Sequence, residues 1–246
     1  MSTQLTCSLD HAHYRLEELV VAHHARHSLT HGIAARIGEG ISTEDHRSTY
    51  DIADLYGEGF DPRLTAGDLA VHHNEGLPPP DIRAEQQRIE RADALVLVYP
   101  VYWWSMPALL KGWIDRVFSN GWAFEFRPDA PLIKKLGHLP IHLLGVGGAD
   151  PGTYSRHGYA AAMRTHIDHG IFNYCGAKVI TSELMLESET AKLLESHLYE
   201  GSQTLGESMH YGVSVTDSCL GWGDTEALLT RAATALARAK PLMKVG

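Results

Sequence analysis

Apolar residues along this chain alternate between two patterns. The first is a short strand-like run: Leu19-Val20-Val21-Ala22, Tyr50 to Leu55, Leu95-Val96-Leu97-Val98-Tyr99, Pro140 to Val146, and Lys178 to Leu186. Of these, Leu95 to Tyr99 is continuously apolar, the pattern of a parallel strand covered on both faces. The second pattern has helical spacing. Leu29, Ile33, Ile37 and Ile41 recur every fourth residue, and Arg83 to Ala92 is charged and helical. Pro107 opens a further helix with the stripe Leu109, Leu110, Trp113, Ile114, Val117 and Phe118. Tyr159, Met163, Ile167 and Ile171 mark another, and Glu189 to Leu205 the last. Alternating strands and helices predict an α/β domain over 19–206, with one five-stranded parallel sheet and helices on both faces. Residues 1–18 read as a flexible arm, 67–80 as an irregular loop, and 207–246 as a C-terminal extension whose Thr225–Ala239 stretch could pack on a partner subunit.

Composition narrows the function classes. The chain has 246 residues, 44% of them hydrophobic, enough for a sizeable core. Its longest apolar stretch, Ala94 to Trp104, is broken by Pro100 and falls short of the ~18 residues of a membrane span. No membrane insertion and a cytoplasmic location are the expectation. A net charge of −9 argues against nonspecific nucleic-acid binding, which needs clustered positive charge. Cys7, Cys175 and Cys219 form no CxxC and suggest no disulfide framework. Histidine is abundant, at 16, but neither HExxH nor a Cys/His cluster is present, so no metal site is expected.

In open α/β sheets ligands bind beyond the C-terminal ends of the strands, where the strand order reverses. With the order 2-1-3-4-5, the loops concerned follow the first, third and fourth strands. The first offers His23, His27, Ser28 and Thr30 at a helix start, suited either to a phosphate or to simple capping. The second, Pro100-Val101-Tyr102-Trp103-Trp104, sets aromatics in succession, which suits a flat ring system held by stacking. The third contains Gly145, Gly147, Gly148 and Gly152, which let backbone approach a ligand. No GxGxxG and no GxxxxGK[ST] occurs.

The run from Tyr99-Pro100-Val101-Tyr102-Trp103-Trp104 through Ser105-Met106-Pro107-Ala108-Leu109-Leu110-Lys111-Gly112-Trp113-Ile114-Asp115-Arg116-Val117-Phe118 closely resembles the signature of the NAD(P)H:quinone oxidoreductase family. Pro80-Asp81-Ile82-Arg83-Ala84-Glu85-Gln86-Gln87, Ala92-Asp93, Leu55-Tyr56 and Phe60-Asp61-Pro62 are similar to it as well. The resemblance covers about Leu19 to Leu205 and implies a three-layer flavodoxin-like fold. It implies that His23, Leu29 and Thr30 grip a flavin phosphate, with Ser28 and His27 in the same loop, although His27 stands where the family usually carries Ser or Thr. Pro100, Val101, Tyr102, Trp103 and Trp104 would hold the isoalloxazine ring, and Gly145, Val146, Gly147 and Gly148 would face its pyrimidine edge. Tyr154 would act at that edge, and Phe124 and Phe126 would wall a substrate pocket at a homodimer interface. The chain departs from the family in places. Ala160 stands where the family carries its relay histidine, with His157 closer to Tyr154. Phe replaces Tyr at the pocket positions, and the 67–77 loop looks shortened.

The implied activity is a two-electron transfer from NADPH or NADH, through FAD (FMN as alternative), to a quinone or similar flat acceptor by ping-pong kinetics. N–H groups of Gly147 and Gly148 would stabilise negative charge, with Tyr154 donating a proton or hydrogen bond and His157 as the substitute relay. Other readings are a one-electron carrier, a flavin-binding regulatory subunit of a membrane transport system, and a pathway-specific azo, nitro or metabolite reductase.

Overall fold

The computed structural model describes residues 15–22, 28–44 and 48–188. The strands are β1 (Arg15–Val21), β2 (Ser48–Asp54), β3 (Ala94–Pro100), β4 (Phe124–Glu125), β5 (Ile133–Lys134), β6 (Pro140–Val146) and β7 (Lys178–Met185). The helices are α1 (Leu29–Glu44), α2 (Ala66–His72), α3 (Pro80–Glu90), α4 (Ala108–Val117), α5 (Pro151–His157) and α6 (Tyr159–Met163), and a π-helical stretch follows over Arg164–Asn173. Five strands form one parallel sheet in the order β2-β1-β3-β6-β7. This is the expected 2-1-3-4-5 arrangement, renumbered because the small β4–β5 hairpin, which no apolar run announces, precedes the fourth sheet strand.

Every residue of β3 is buried, because successive side chains point to opposite sides and both sides are covered. Val96 and Val98 join Val21 and Val146 beneath Ile33, Ala34 and Ile37 of α1. Leu95, Leu97 and Tyr99 face the other way, into a larger core with Ile82 and Ile89 of α3 and Leu110, Trp113, Ile114 and Val117 of α4. Each such aliphatic side chain stabilises the fold by roughly 1.5–3 kcal/mol relative to exposure.

Several boundaries differ from the pattern reading. β1 begins at Arg15, inside the segment read as an arm. Pro107 is the N-cap of α4 rather than its first helical residue. The expected 67–80 loop contains α2, opened by a capping box: the Thr65 hydroxyl accepts the Asp68 N–H, and the Asp68 carboxylate accepts the Thr65 N–H. Hydrophobic periodicity misses this short helix because its buried residues are Asp68 and Val71. Asp68 tolerates burial because Arg116 donates to it at 2.9 Å. Burial alone would raise the Asp68 pKa, but the bonds from Arg116 and Thr65 outweigh it and hold the carboxyl low. Arg116 also donates to the Asp61 carbonyl and pairs with Asp81, both at 2.8 Å, tying α4 to α2, α3 and the loop after β2. Gly112 lies on the same side of α4, where a methyl group would overlap the Pro62 carbonyl.

The single helix expected from Tyr159 to Ile171 is instead α6 running into the π-helical stretch. There Ile167 and Phe172 are buried while Ile171 is only half-buried. Buried residues five apart match the wider i→i+5 winding, where the four-residue spacing had suggested an ordinary helix. The helix expected over Glu189–Leu205 and the C-terminal extension lie outside the described residues.

Candidate functional site

Val21 at the end of β1 stands beside both Asp54 and Val98, and Pro100 at the end of β3 stands beside Val146. The chain therefore leaves β1, β2, β3 and β6 along one edge of the sheet, and the order reverses between β1 and β3. That is where the fold class places ligands.

The loop after β3 is a tight turn. Tyr102 and Ser105 exchange backbone bonds of 3.0 and 3.1 Å, and between them Trp103 and Trp104 have φ of +48° and +58°. Two consecutive left-handed residues make this the turn type usually reserved for Asn-Gly or Gly-Gly. Left-handed backbone costs a bulky L-residue roughly 1–2 kcal/mol. The turn is anchored by the Val101 N–H, which donates to the Val146 carbonyl at 2.7 Å. Trp103 is 92% exposed and Tyr102 is also exposed, so these rings serve no core.

Trp104 turns back towards the protein. It stacks on Tyr159 with centroids 3.8 Å apart and meets Tyr154 edge-on at 5.2 Å. Tyr154 comes from α5, whose first turn is capped by Asp150 accepting the Thr153 N–H at 2.9 Å. Its ring is buried, and burial pushes its hydroxyl above the ordinary tyrosine value, so it stays protonated and able to donate. Its oxygen lies close against Gly147: a methyl group there would sit 2.7 Å from it. The Gly147 N–H is already given to the Met185 carbonyl at 2.8 Å. Of the two donors expected in this loop, Gly147 is therefore engaged within the sheet, because β6 and β7 stay paired one residue longer than the strand pattern suggests.

At the loop after β1, Thr30 is buried and Ser28 half-buried at the start of α1, with the Ser28 hydroxyl accepting the His31 N–H at 3.3 Å. Leu29 packs against the α1 side of the core. His23 and His27 lie outside the described residues. His157, at the exposed end of α5, stacks on Tyr159 at 5.2 Å, and the left-handed Gly158 turns the chain between them. Tyr159 was read from the sequence only as the first residue of a buried helical stripe. The signal for its role is an aromatic immediately before Ala160, the relay position. Phe124 is buried and packs edge-on against His72 and Tyr174. Phe126 is half exposed, and its backbone is held by Asn120 and Asn74. Their contacts thus differ from those of the aromatic group around Trp104.

Within the described residues no helix is long and apolar enough to cross a membrane. Residues 18–205 match the profile of a family described as having a flavodoxin-like fold. An uncharacterized NAD(P)H oxidoreductase of Haemophilus influenzae is 34% identical over 157 residues, covering 64% of this chain and 76% of the relative. The ribosyldihydronicotinamide dehydrogenase [quinone] of Mus musculus is 30% identical over 158 residues, covering 55% of this chain and 67% of the relative. Among solved structures, an NAD(P)H:quinone oxidoreductase from Methanothermobacter marburgensis superposes with a TM-score of 0.64 at 26% identity, covering 75% of this chain and 90% of that one. The sheet order, the aromatic turn at its reversal and these matches together show that the chain belongs to the flavodoxin-like family of NAD(P)H:quinone oxidoreductases.

Proposed function

We propose that this protein is a flavin-dependent oxidoreductase that passes two electrons from NADPH or NADH to a quinone or a similarly flat acceptor. The observation that carries this reading is the Trp103–Trp104 turn: strained backbone at the sheet's reversal point, displaying the rings of Tyr102 and Trp103, which no core uses, beside a Trp104 held by Tyr159. FAD fits the overall resemblance, with FMN as the alternative. When bound, the flavin supplies the two-electron chemistry.

The protein's residues have separable tasks. Ser28, Leu29 and Thr30, with His23 and His27, would hold the phosphate at the α1 N-terminus. Val101 to Trp104 would hold the ring, with Gly145, Val146 and Gly148 beside its polar edge. With Gly147 engaged, the Gly148 N–H is the remaining backbone donor of that pair. Tyr154 would donate a hydrogen bond, or a proton, where negative charge develops, and its raised pKa keeps that proton in place near neutral pH. His157 sits at the exposed end of the same aromatic group, where it can exchange protons with solvent. Donor and acceptor would occupy one slot in turn, giving ping-pong kinetics. Phe126, half exposed, would complete the slot of a second copy across a homodimer interface.

The test is the absorbance spectrum of the purified protein, followed by acid release and identification of any flavin. Oxidised-flavin bands bleached by NADPH or NADH and restored by a quinone are the expected result. A colourless protein that takes up neither FAD nor FMN overturns the proposal.

A further inference from the structure

We propose that the cavity between α2, the start of α3 and the end of α4 binds a small organic cation. Its occupant has an apolar body and a primary ammonium group that donates to Asp68 Oδ1, roughly ten non-hydrogen atoms in all at the packing density of protein interiors. The cavity shares no residue with the loops proposed above to hold the flavin, and the inference does not depend on that reading.

The cavity has a volume of about 300 Å³ and is lined by Leu69 and Val71 of α2, Ile82 of α3 and Arg116 of α4, together with Asp68. Leu69 is half exposed while Val71 and Ile82 are buried, so an apolar wall runs from solvent inwards. Asp68 is 6% exposed, and the three donors that hold it all meet the same oxygen. The Thr65 N–H and the Thr65 hydroxyl donate to Asp68 Oδ2 at 2.7 Å, and Arg116 Nε donates to it at 2.9 Å. Asp68 Oδ1 is buried and meets no donor among the described residues. A buried carboxylate oxygen without a partner is costly, and few native structures carry one unanswered.

The free oxygen and the surrounding charge define the occupant. An ionised carboxylate only accepts hydrogen bonds, so whatever meets Oδ1 must donate. Arg116 is one guanidinium between two carboxylates, Asp68 at 2.9 Å and Asp81 at 2.8 Å. Asp115, also on the cavity wall, is matched by Lys111. Three carboxylates thus meet two basic side chains, and acid exceeds base by one. An ammonium group restores the balance, and its bond to a carboxylate is stronger than that of a neutral hydroxyl. An anionic head would be repelled there. The hydrocarbon part of the ligand is taken by the aliphatic wall, which gains by leaving water.

The experiment titrates the full chain, as purified, by isothermal calorimetry with three probes of one shape: 2-phenylethylammonium, 2-phenylethanol and 3-phenylpropionate. Wild type is compared with Asp68→Asn, which removes the charge at the same size, and with Leu69→Trp, which fills the outer end of the cavity from a half-exposed position. The expected result is one site for the ammonium probe with Kd below about 1 mM. The alcohol should bind about ten-fold more weakly, the scale of a hydrogen bond to a charged group, and the propionate not measurably. Each substitution should weaken the ammonium probe by about ten-fold. No binding of the ammonium probe to wild type, equal binding of ammonium and alcohol, or binding that neither substitution weakens overturns the inference. If Asp68→Asn does not fold because Arg116 loses its partner, Leu69→Trp and the comparison of ammonium with alcohol decide. None of these outcomes bears on the flavin, which the absorbance test decides separately.

Discussion

Trp104 and Tyr159 lie face to face, with ring centroids 3.8 Å apart and planes 11° from parallel. Tyr154 meets the edges of both, at 5.2 and 6.1 Å, and His157 covers the outer side of Tyr159. One face of Trp104 is therefore closed by protein, and the stacking helps hold a ring whose backbone is left-handed. A stacked aromatic pair is worth about 1 kcal/mol beyond its buried area. Tyr159→Leu is expected to lower thermal stability by roughly that amount and to weaken flavin binding several-fold, whereas Tyr159→Phe leaves both as they are. Thermal unfolding and flavin titration of the two variants check this; a Phe variant as impaired as Leu would assign the effect to the hydroxyl instead.

Trp103 gives the opposite kind of prediction. It is left-handed at +48° and 92% exposed, so it contributes strain and little packing. Glycine adopts that conformation without steric cost. Trp103→Gly is expected to raise stability by about 1 kcal/mol. Loss of an exposed aromatic face should lower kcat/KM for quinones at the same time. Denaturant unfolding and steady-state kinetics on one preparation decide it, and a destabilised variant would mean that Trp103 packs against something the single chain does not show.

How much of this was legible in the sequence depends on the kind of force involved. The buried run Leu95–Tyr99 marks β3, and the aromatics after it mark the candidate site, because continuous burial and an unusual cluster both leave a compositional trace. α2 left none, since it is held by the Thr65–Asp68 box and the Arg116 ion pair rather than by an apolar stripe. The engagement of the Gly147 N–H depends on where β6 and β7 stop pairing, which no local pattern reports. The π-helical winding after Met163 likewise became visible only through which residues it buries. The contacts of His31 with Ser28 at 2.8 Å and with Asp54 at 3.3 Å join the start of α1 to the end of β2, a distance that periodicity does not measure.

Gly147 and Tyr154 form a pair that a double mutant can isolate. A Cβ at Gly147 would stand 2.7 Å from the Tyr154 oxygen and 3.1 Å from Leu186 Cδ2. Gly147→Ala is expected to displace the tyrosine, lowering stability by on the order of 1–3 kcal/mol and flavin reduction along with it. Tyr154→Phe removes the clashing oxygen and the donor but keeps the ring. The double variant should recover much of the stability lost by Gly147→Ala without recovering activity, a coupling that a double-mutant cycle measures directly. Strict additivity of the two changes would show that the hydroxyl and Gly147 are not in contact.

His142 supplies a pH dependence whose sign can be worked out. It lies within β6, with Nδ1 2.9 Å from Thr181 Oγ1 of the neighbouring strand. Burial pushes its pKa down to about 4. In the unfolded chain an ordinary histidine titrates near 6.5. As pH falls through that value, the unfolded state takes up a proton that the folded state still refuses, so the equilibrium moves towards unfolding. The contribution is complete above about pH 6.5, is lost progressively between about 6.5 and about 4, and changes no further below that; its full size is on the order of 3 kcal/mol. His142→Asn can keep the bond to Thr181 but has no proton to gain. Urea unfolding between about pH 7.5 and about pH 4.5 should therefore show the wild type losing about 2 kcal/mol more than His142→Asn. Parallel losses in the two proteins would mean that acid sensitivity arises elsewhere, from carboxylates such as Asp68 whose depressed pKa makes them lose stability as they protonate at lower pH.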